Sequence, residues 1–157
     1  MKIRRAAVPI LTALAAAFLA SAPAEAQSLP PQVRKAIAEQ SRTCRPQKVV
    51  LEKGFLTRKD VNGDGVPDFV LDYGAFNCGG SFTYFCGSAG CLTQVFASNR
   101  GAFVKVFDST VQKASFMTLR GRPAMVLGLH GSECGKMGAA ECGSTLYWNG
   151  AKFSPAR

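Results

Sequence analysis

Acidic side chains are scarce in this chain: 10 Asp and Glu stand against 19 Lys and Arg, and histidine and tryptophan occur once each. The lone histidine, His130, leaves a single position for histidine general-base chemistry. No CxxC pair is present, which argues against a zinc site in favour of disulfides. No glycine run is followed by Lys-Ser/Thr, so a phosphate-cradling loop is excluded. Beyond residue 26 no apolar stretch is long enough to span a bilayer.

The longest apolar run lies at the start. Lys2, Arg4 and Arg5 precede the stretch Ala6 to Ala20, and Ala24-Glu25-Ala26 has the small-x-small pattern of a cleavage site. This predicts a signal peptide over residues 1–26, a single globular domain over 27–157 and a periplasmic or secreted location. The 6 cysteines, Cys44, Cys78, Cys86, Cys91, Cys134 and Cys142, all follow that leader. An even number in an exported chain argues for disulfides, although 6 cysteines allow 15 pairings. Locality favours Cys86–Cys91 and Cys134–Cys142, which leaves Cys44–Cys78.

Leu29-Pro30-Pro31 opens a helical pattern in which Val33, Ala36, Ile37 and Gln40 share a face, ending near Arg45-Pro46. The periodicity then changes. KVVLEKGFL suggests one or two strands ending at Leu56. Phe69, Leu71 and Tyr73 alternate with Asp68, Val70 and Asp72. Strands are expected over 92–98 and 103–108, and again over 115–119 and 123–129. A last hairpin pairs Thr145–Trp148 with Lys152-Phe153 across Asn149-Gly150. The fold class is therefore α+β and mostly β: a short N-terminal helix followed by an antiparallel β-meander, stapled by disulfides.

One short stretch, DVNGDGVPDFVLDY from Asp60 to Tyr73, has the pattern of a calcium loop. Asp60, Asn62 and Asp64 stand at positions 1, 3 and 5, Gly65 at the sharp turn, the Val66 carbonyl at position 7 and Asp68 at position 9. Alternate spacing lets oxygens converge while glycines accept the strained backbone. Position 12 is Leu71 rather than glutamate, and Pro67 opposes a helical exit, so an EF-hand is excluded. A plain polar turn is the alternative, since Asn-Gly and Asp-Gly both favour hairpins. Without a cation, three carboxylates gathered there would repel one another.

The loop resembles the DxNGDGxxD calcium loop of FG-GAP and VCBS-type repeats, and that resemblance implies that Asp60, Asn62, Asp64 and Asp68 are ligands. No second copy occurs, so no propeller is implied. The segment Cys86-Gly87-Ser88-Ala89-Gly90-Cys91 and the later Tyr147-Trp148-Asn149-Gly150 resemble those of a family of small secreted bacterial proteins. That likeness implies no activity.

Cations gather early, with Arg34, Lys35, Arg42, Arg45, Lys48, Lys53, Arg58 and Lys59 against Glu39 and Glu52. Arg42, Arg45, Lys48, Arg58 and Lys59 are candidates for anion binding, and specific nucleic-acid binding is not expected. The plain alternative is a basic surface with no specific partner. His130 with Ser132, oriented by Asp108 or Asp72, is the one arrangement for a hydrolase, although Ser132 is not in G-x-S-x-G. Glu133 and Glu141 could form a glycosidase pair or be two exposed loop residues. Phe76, Phe82, Tyr84 and Phe85 form either satellite core or an exposed aromatic surface. The preferred reading is an exported, non-catalytic module with a structural Ca2+ loop, binding an anionic envelope component or a periplasmic protein. A small inhibitor of a hydrolase is the alternative, and a hydrolase using His130 follows it.

Overall fold

The structure, a computed structural model, describes residues 29–156; the signal peptide expected over residues 1–26 lies outside the described residues. Helix α1 (Pro31–Thr43) carries Pro31 in its first turn, where no N–H is needed, and buries Val33 and Ala36. Eleven strands follow: β1 (Val49–Leu51), β2 (Leu56–Lys59), β3 (Asp68–Asp72), β4 (Phe76–Cys78), β5 (Cys86–Gly87), β6 (Gly90–Asn99), β7 (Ala102–Val111), β8 (Lys113–Leu119), β9 (Arg122–Leu129), β10 (Cys142–Trp148) and β11 (Phe153–Pro155). All pairings are antiparallel, and the class is α+β, mostly β.

The strands divide into two principal sheets. In the first, β6 is central and pairs with β3, β7 and, at its first residues, β5, while β2 lies outside β3. The second is a true meander in the order β8-β9-β10-β11. A single residue, Gln112, separates β7 from β8 and turns the chain from one sheet into the other. Its N–H donates to the Gly128 carbonyl at 2.9 Å. The sequence pattern anticipated one meander; the first sheet departs from it because residues 73–85 leave the sheet after β3 to form β4, which pairs with β1, before β5 returns to the start of β6.

β3 explains the layering. Phe69 and Leu71 point into a core shared with Val33, Ala36, Phe55, Tyr73 and Phe76, under the helix. Val70 points the other way, toward a core of Val61, Val95, Val111, Met125, Leu127 and Phe153 drawn from both sheets. The rings of Phe55, Tyr73, Phe76 and Phe85 pack edge to face or tilted at centroid distances of 5.1–5.4 Å. Burial pushes the Tyr73 hydroxyl well above the usual tyrosine range, with the charge of Asp108 adding to it. That hydroxyl donates to Gln94 Oε1 at 3.0 Å, and the Gln94 amide reaches Asp108 at 3.3 Å, so the polar atoms inside the core are satisfied.

Three local readings change. KVVLEKGFL contains β1, and the second strand begins at its last residue, Leu56, and runs on to Lys59 instead of ending there. The Asn149-Gly150 hairpin has a four-residue loop, with Trp148 opposite Phe153 and Tyr147 opposite Ser154. Asn149 Oδ1 accepts from the N–H groups of Ala151 and Lys152, and that side-chain turn displaces Lys152 from the strand. The four aromatics of the cysteine loop split: Phe76 and Phe85 belong to the core, whereas Phe82 and Tyr84 are about half exposed, at 48% and 50%.

All six cysteines are paired, as Cys44–Cys78, Cys86–Cys91 and Cys134–Cys142, which rules out the zinc alternative. Their sequence separations are 34, 5 and 8 residues. In the chain-entropy picture the first bridge stabilises by about 3–4 kcal/mol and the second by about 2 kcal/mol. Replacing Cys44 and Cys78 together by Ala should therefore lower unfolding free energy more than replacing Cys86 and Cys91. Denaturant titration of both pairs under identical conditions checks the order, and equal losses would contradict it.

Candidate functional site

The loop from Asp60 to Pro67 joins β2 to β3 and folds back on itself through its own carboxylates. Asp60 Oδ1 accepts from Gly63 N–H at 2.7 Å and Oδ2 from Gly65 N–H at 2.9 Å. Asn62 Oδ1 accepts from Asp64 N–H at 3.0 Å, and Asp64 Oδ1 from Val66 N–H at 2.8 Å. These are Asx turns, in which a short acceptor side chain captures an N–H two or more residues ahead. Gly63 and Gly65 both adopt φ of +82°, a region glycine enters without steric cost. Gly63 also has no room for a side chain, since a Cβ there would lie 2.8 Å from Pro123 of the second sheet.

Asp68 is fully buried. Its Oδ2 accepts from Val61 N–H at 2.9 Å and its Oδ1 from Ser98 N–H at 2.7 Å, so it ties both ends of the loop to the end of β6. The Asn62 amide donates to the Ser98 carbonyl at 3.1 Å, and the Ser98 hydroxyl donates to Asp64. Asn62, Asp64, Asp68 and Ser98 thus form one network. Ser98 is the member that sequence reasoning missed; it is brought in by the pairing of β3 with β6, and nothing local marks it. Asp60 stands on the same loop but bonds only to the loop's own backbone. Val66 is 45% exposed. Among the described residues, no three His, Cys, Asp or Glu side chains converge as a ready metal cluster.

The two inner carboxylates are in tension. Burial raises Asp68 above the usual aspartate value against the opposing N–H bonds from Ser98 and Val61, and the charge of Asp64 pushes it further. The hydrogen bond from Ser98 lowers Asp64, with burial opposing and the Val66 N–H and Asn62 assisting. The neighbouring cation does not answer these charges, because Lys59 Nζ donates to the Phe116 carbonyl of β8 at 2.8 Å. A cleft of about 290 Å³ lies beside this contact, lined by Lys59, Asp60, Gly63, Phe116, Thr118 and Pro123 among others.

The basic candidates fall into two groups. Arg42 ends α1, and Arg45 and Lys48 follow it, all exposed, around the Cys44–Cys78 bridge. Arg58 and Lys59 lie on β2 beside the acidic loop, with the Arg58 guanidinium 5.2 Å from the Phe69 ring centroid.

His130 and Ser132 do come together: His130 Nδ1 lies 2.8 Å from Ser132 Oγ. The contact closes a short 3-10 turn, and His130 Nδ1 also accepts from Ser132 N–H at 3.4 Å. The other face of the imidazole is covered, since a Cβ on Gly138 would fall 2.3 Å from Nε2. Neither proposed orienter is hydrogen-bonded to it. Asp72 accepts from Gly74 N–H, and Asp108 is engaged by Lys105 and Gln94. Glu133, in the 3-10 turn just before Cys134, and Glu141, just before Cys142, are both exposed.

Compared with known proteins, the chain matches no protein-family model, no curated protein and no solved structure. The likeness of the acidic loop to FG-GAP loops therefore rests on the loop residues themselves.

The Ser98–Asp64 bond gives a direct test. Asp64 contributes stability above the ordinary aspartate value and loses it as pH falls through its lowered one. Asp68 behaves oppositely, its contribution being greatest below the ordinary value and lost as pH rises through its raised one. Carboxyl-detected NMR titration in calcium-free buffer should find the Asp68 midpoint above that of Asp64. Ser98→Ala should raise the Asp64 midpoint, and an unmoved midpoint would remove Ser98 as its cause.

Proposed function

We propose that this chain is an exported, non-catalytic module in which the Asp60–Asp68 loop binds one calcium ion, while its exposed cations meet an anionic component of the cell envelope or a protein there. The observation that carries the reading is the donor set. Three carboxylates, an amide oxygen and a carbonyl lie on one glycine-bearing loop, and the charge of Asp64 already bears on Asp68. An oxygen-only set of this kind suits a hard divalent cation.

Asp60, Asn62, Asp64, Asp68 and the Val66 carbonyl would hold the ion. Each carboxylate oxygen that accepts one backbone N–H retains a further lone pair for a cation. The ion supplies positive charge and no reaction step. The loop meets the second sheet at Gly63–Pro123, and its neighbour Lys59 meets it at Phe116, so an ion there would stiffen the join between the sheets. Affinity in the range of extracellular modules is expected, on the order of 10⁻⁴–10⁻³ M. Calorimetric titration of the oxidised protein should give saturable one-to-one binding that Asp64→Ala abolishes. No heat, with the same melting temperature in chelator and in calcium, would make the stretch a self-bonded hairpin turn.

A second reading is favoured by the Cys134–Cys142 loop, where Met137 is 86% exposed on a disulfide-closed frame. A rigid loop holding an apolar side chain in solvent suits insertion into the cleft of a hydrolase. Salt-insensitive capture of one enzyme, lost in Met137→Asp, is the outcome expected of such an inhibitor. Turnover lost in His130→Ala with the fold intact would replace both readings with a hydrolase.

A further inference from the structure

Residues 42–50 and 76–84 converge on the Cys44–Cys78 bridge. Gln47 N–H donates to the Cys44 carbonyl and Gly79 N–H to the Lys48 carbonyl, both at 2.9 Å. In the β1–β4 ladder Val49 stands opposite Cys78 and Val50 opposite Asn77. Across the same knot, Tyr84 Oη donates to the Thr43 carbonyl at 2.6 Å, which ties the aromatic loop to the end of α1. Tyr84 also stacks edge to face on Phe85, which packs against the core.

The result is a surface with two chemistries. Arg42, Arg45 and Lys48 are exposed, and among the described residues no ion pair engages any of them. Of the nearby carboxylates, Glu39 faces Lys35 and Glu52 is exposed. On the same two joined segments stand three apolar side chains about half in water: Val50 at 50%, Phe82 at 48% and Tyr84 at 50%. Rings and aliphatic groups held out by a disulfide-linked frame gain by leaving water, and flexible cations gain beside phosphates. A lipid headgroup layer offers both within one depth.

We propose that this face docks on an anionic lipid bilayer, with Arg42, Arg45 and Lys48 on the lipid phosphates and Val50, Phe82 and Tyr84 entering the headgroup layer. The proposal rests on the reading of the basic surface as anion-binding and names its ligand. A membrane fits better than a protein partner because the cations are long and mobile, with no acidic residues interleaved to fix a register. A fluid array of phosphates demands none.

The test is co-sedimentation of the oxidised protein with vesicles of phosphatidylglycerol in phosphatidylcholine, with phosphatidylcholine vesicles and soluble dextran sulfate as the other arms. The N-terminal leader is common to all variants, so differences among them report on this face. Binding is expected only to the phosphatidylglycerol vesicles among the two lipids, and it should weaken with salt. The combined Arg42→Gln, Arg45→Gln and Lys48→Gln variant should bind roughly 100-fold more weakly, at about a factor of five per cation. Phe82→Ser should weaken vesicle binding and leave dextran sulfate binding unchanged.

Circular dichroism and the melting temperature establish that each variant folds. Vesicle binding untouched by the triple variant, or by Phe82→Ser, would overturn the proposed docking face. Dextran sulfate binding without vesicle binding would overturn the membrane and leave the anion-binding reading standing. Loss of both would overturn the two together, and retention of an acidic envelope protein in place of vesicles would assign the face to a protein.

Discussion

A carboxylate removed from water must find donors inside the protein, and Asp68 finds them on two different elements. Its oxygens accept the N–H groups of Val61, in the loop, and Ser98, at the end of β6. Charged hydrogen bonds of this kind contribute about 1.5–3 kcal/mol each. Their larger effect is on register. With Asp68 held between Val61 and Ser98, Phe69 pairs opposite Phe96 and Leu71 opposite Gln94. A one-residue slip would turn every side chain of β3 to the opposite face, sending Phe69 and Leu71 away from the helix and Val70 out of the inter-sheet core. Both hydrophobic layers therefore depend on where that carboxylate sits.

The same constraint concentrates negative charge. Asp64 and Asp68 share Ser98 as a donor, Asp60 closes the loop over Gly63 and Gly65, and the adjacent Lys59 turns to a carbonyl of the second sheet. The acidic loop is the tip of the β2–β3 hairpin. At the open end of that hairpin, Phe55 N–H donates to Glu52 and Glu52 N–H to Ala75, leading into the knot of α1, β1 and β4. Negative charge gathers at one end of the hairpin and unpaired positive charge with exposed rings at the other. In the proposed reading, calcium is the ligand of the first region and an anionic surface that of the second.

Much of this was legible in one dimension. Pro31 with Val33 and Ala36 marks the helix, the alternation of Phe69, Leu71 and Tyr73 marks the inner face of β3, and proximity along the chain pairs Cys86 with Cys91 and Cys134 with Cys142. The Asx-rich loop was visible as a loop because its spacing is local. Ser98 was not visible: it is an ordinary strand-end residue until β6 pairs with β3. Nor was the division of Phe82 and Tyr84 from Phe76 and Phe85, since neighbouring aromatics look alike in sequence and are sorted only by which of them the core reaches first.

The sequence by itself determined the elements whose signals lie within a few residues of one another: helix, alternating strands, turns, short disulfide loops and the acidic stretch. Tertiary structure decided what depends on distant partners. It split the strands into two sheets at Gln112, buried Asp68 among donors from two elements and left Asp60 near the surface. It also gathered Arg42, Arg45 and Lys48 with Phe82 and Tyr84 around the Cys44–Cys78 bridge. The reason is that periodicity and turn chemistry act through adjacent peptide groups, whereas burial, pKa and surface composition are set by whichever segments the two cores bring together.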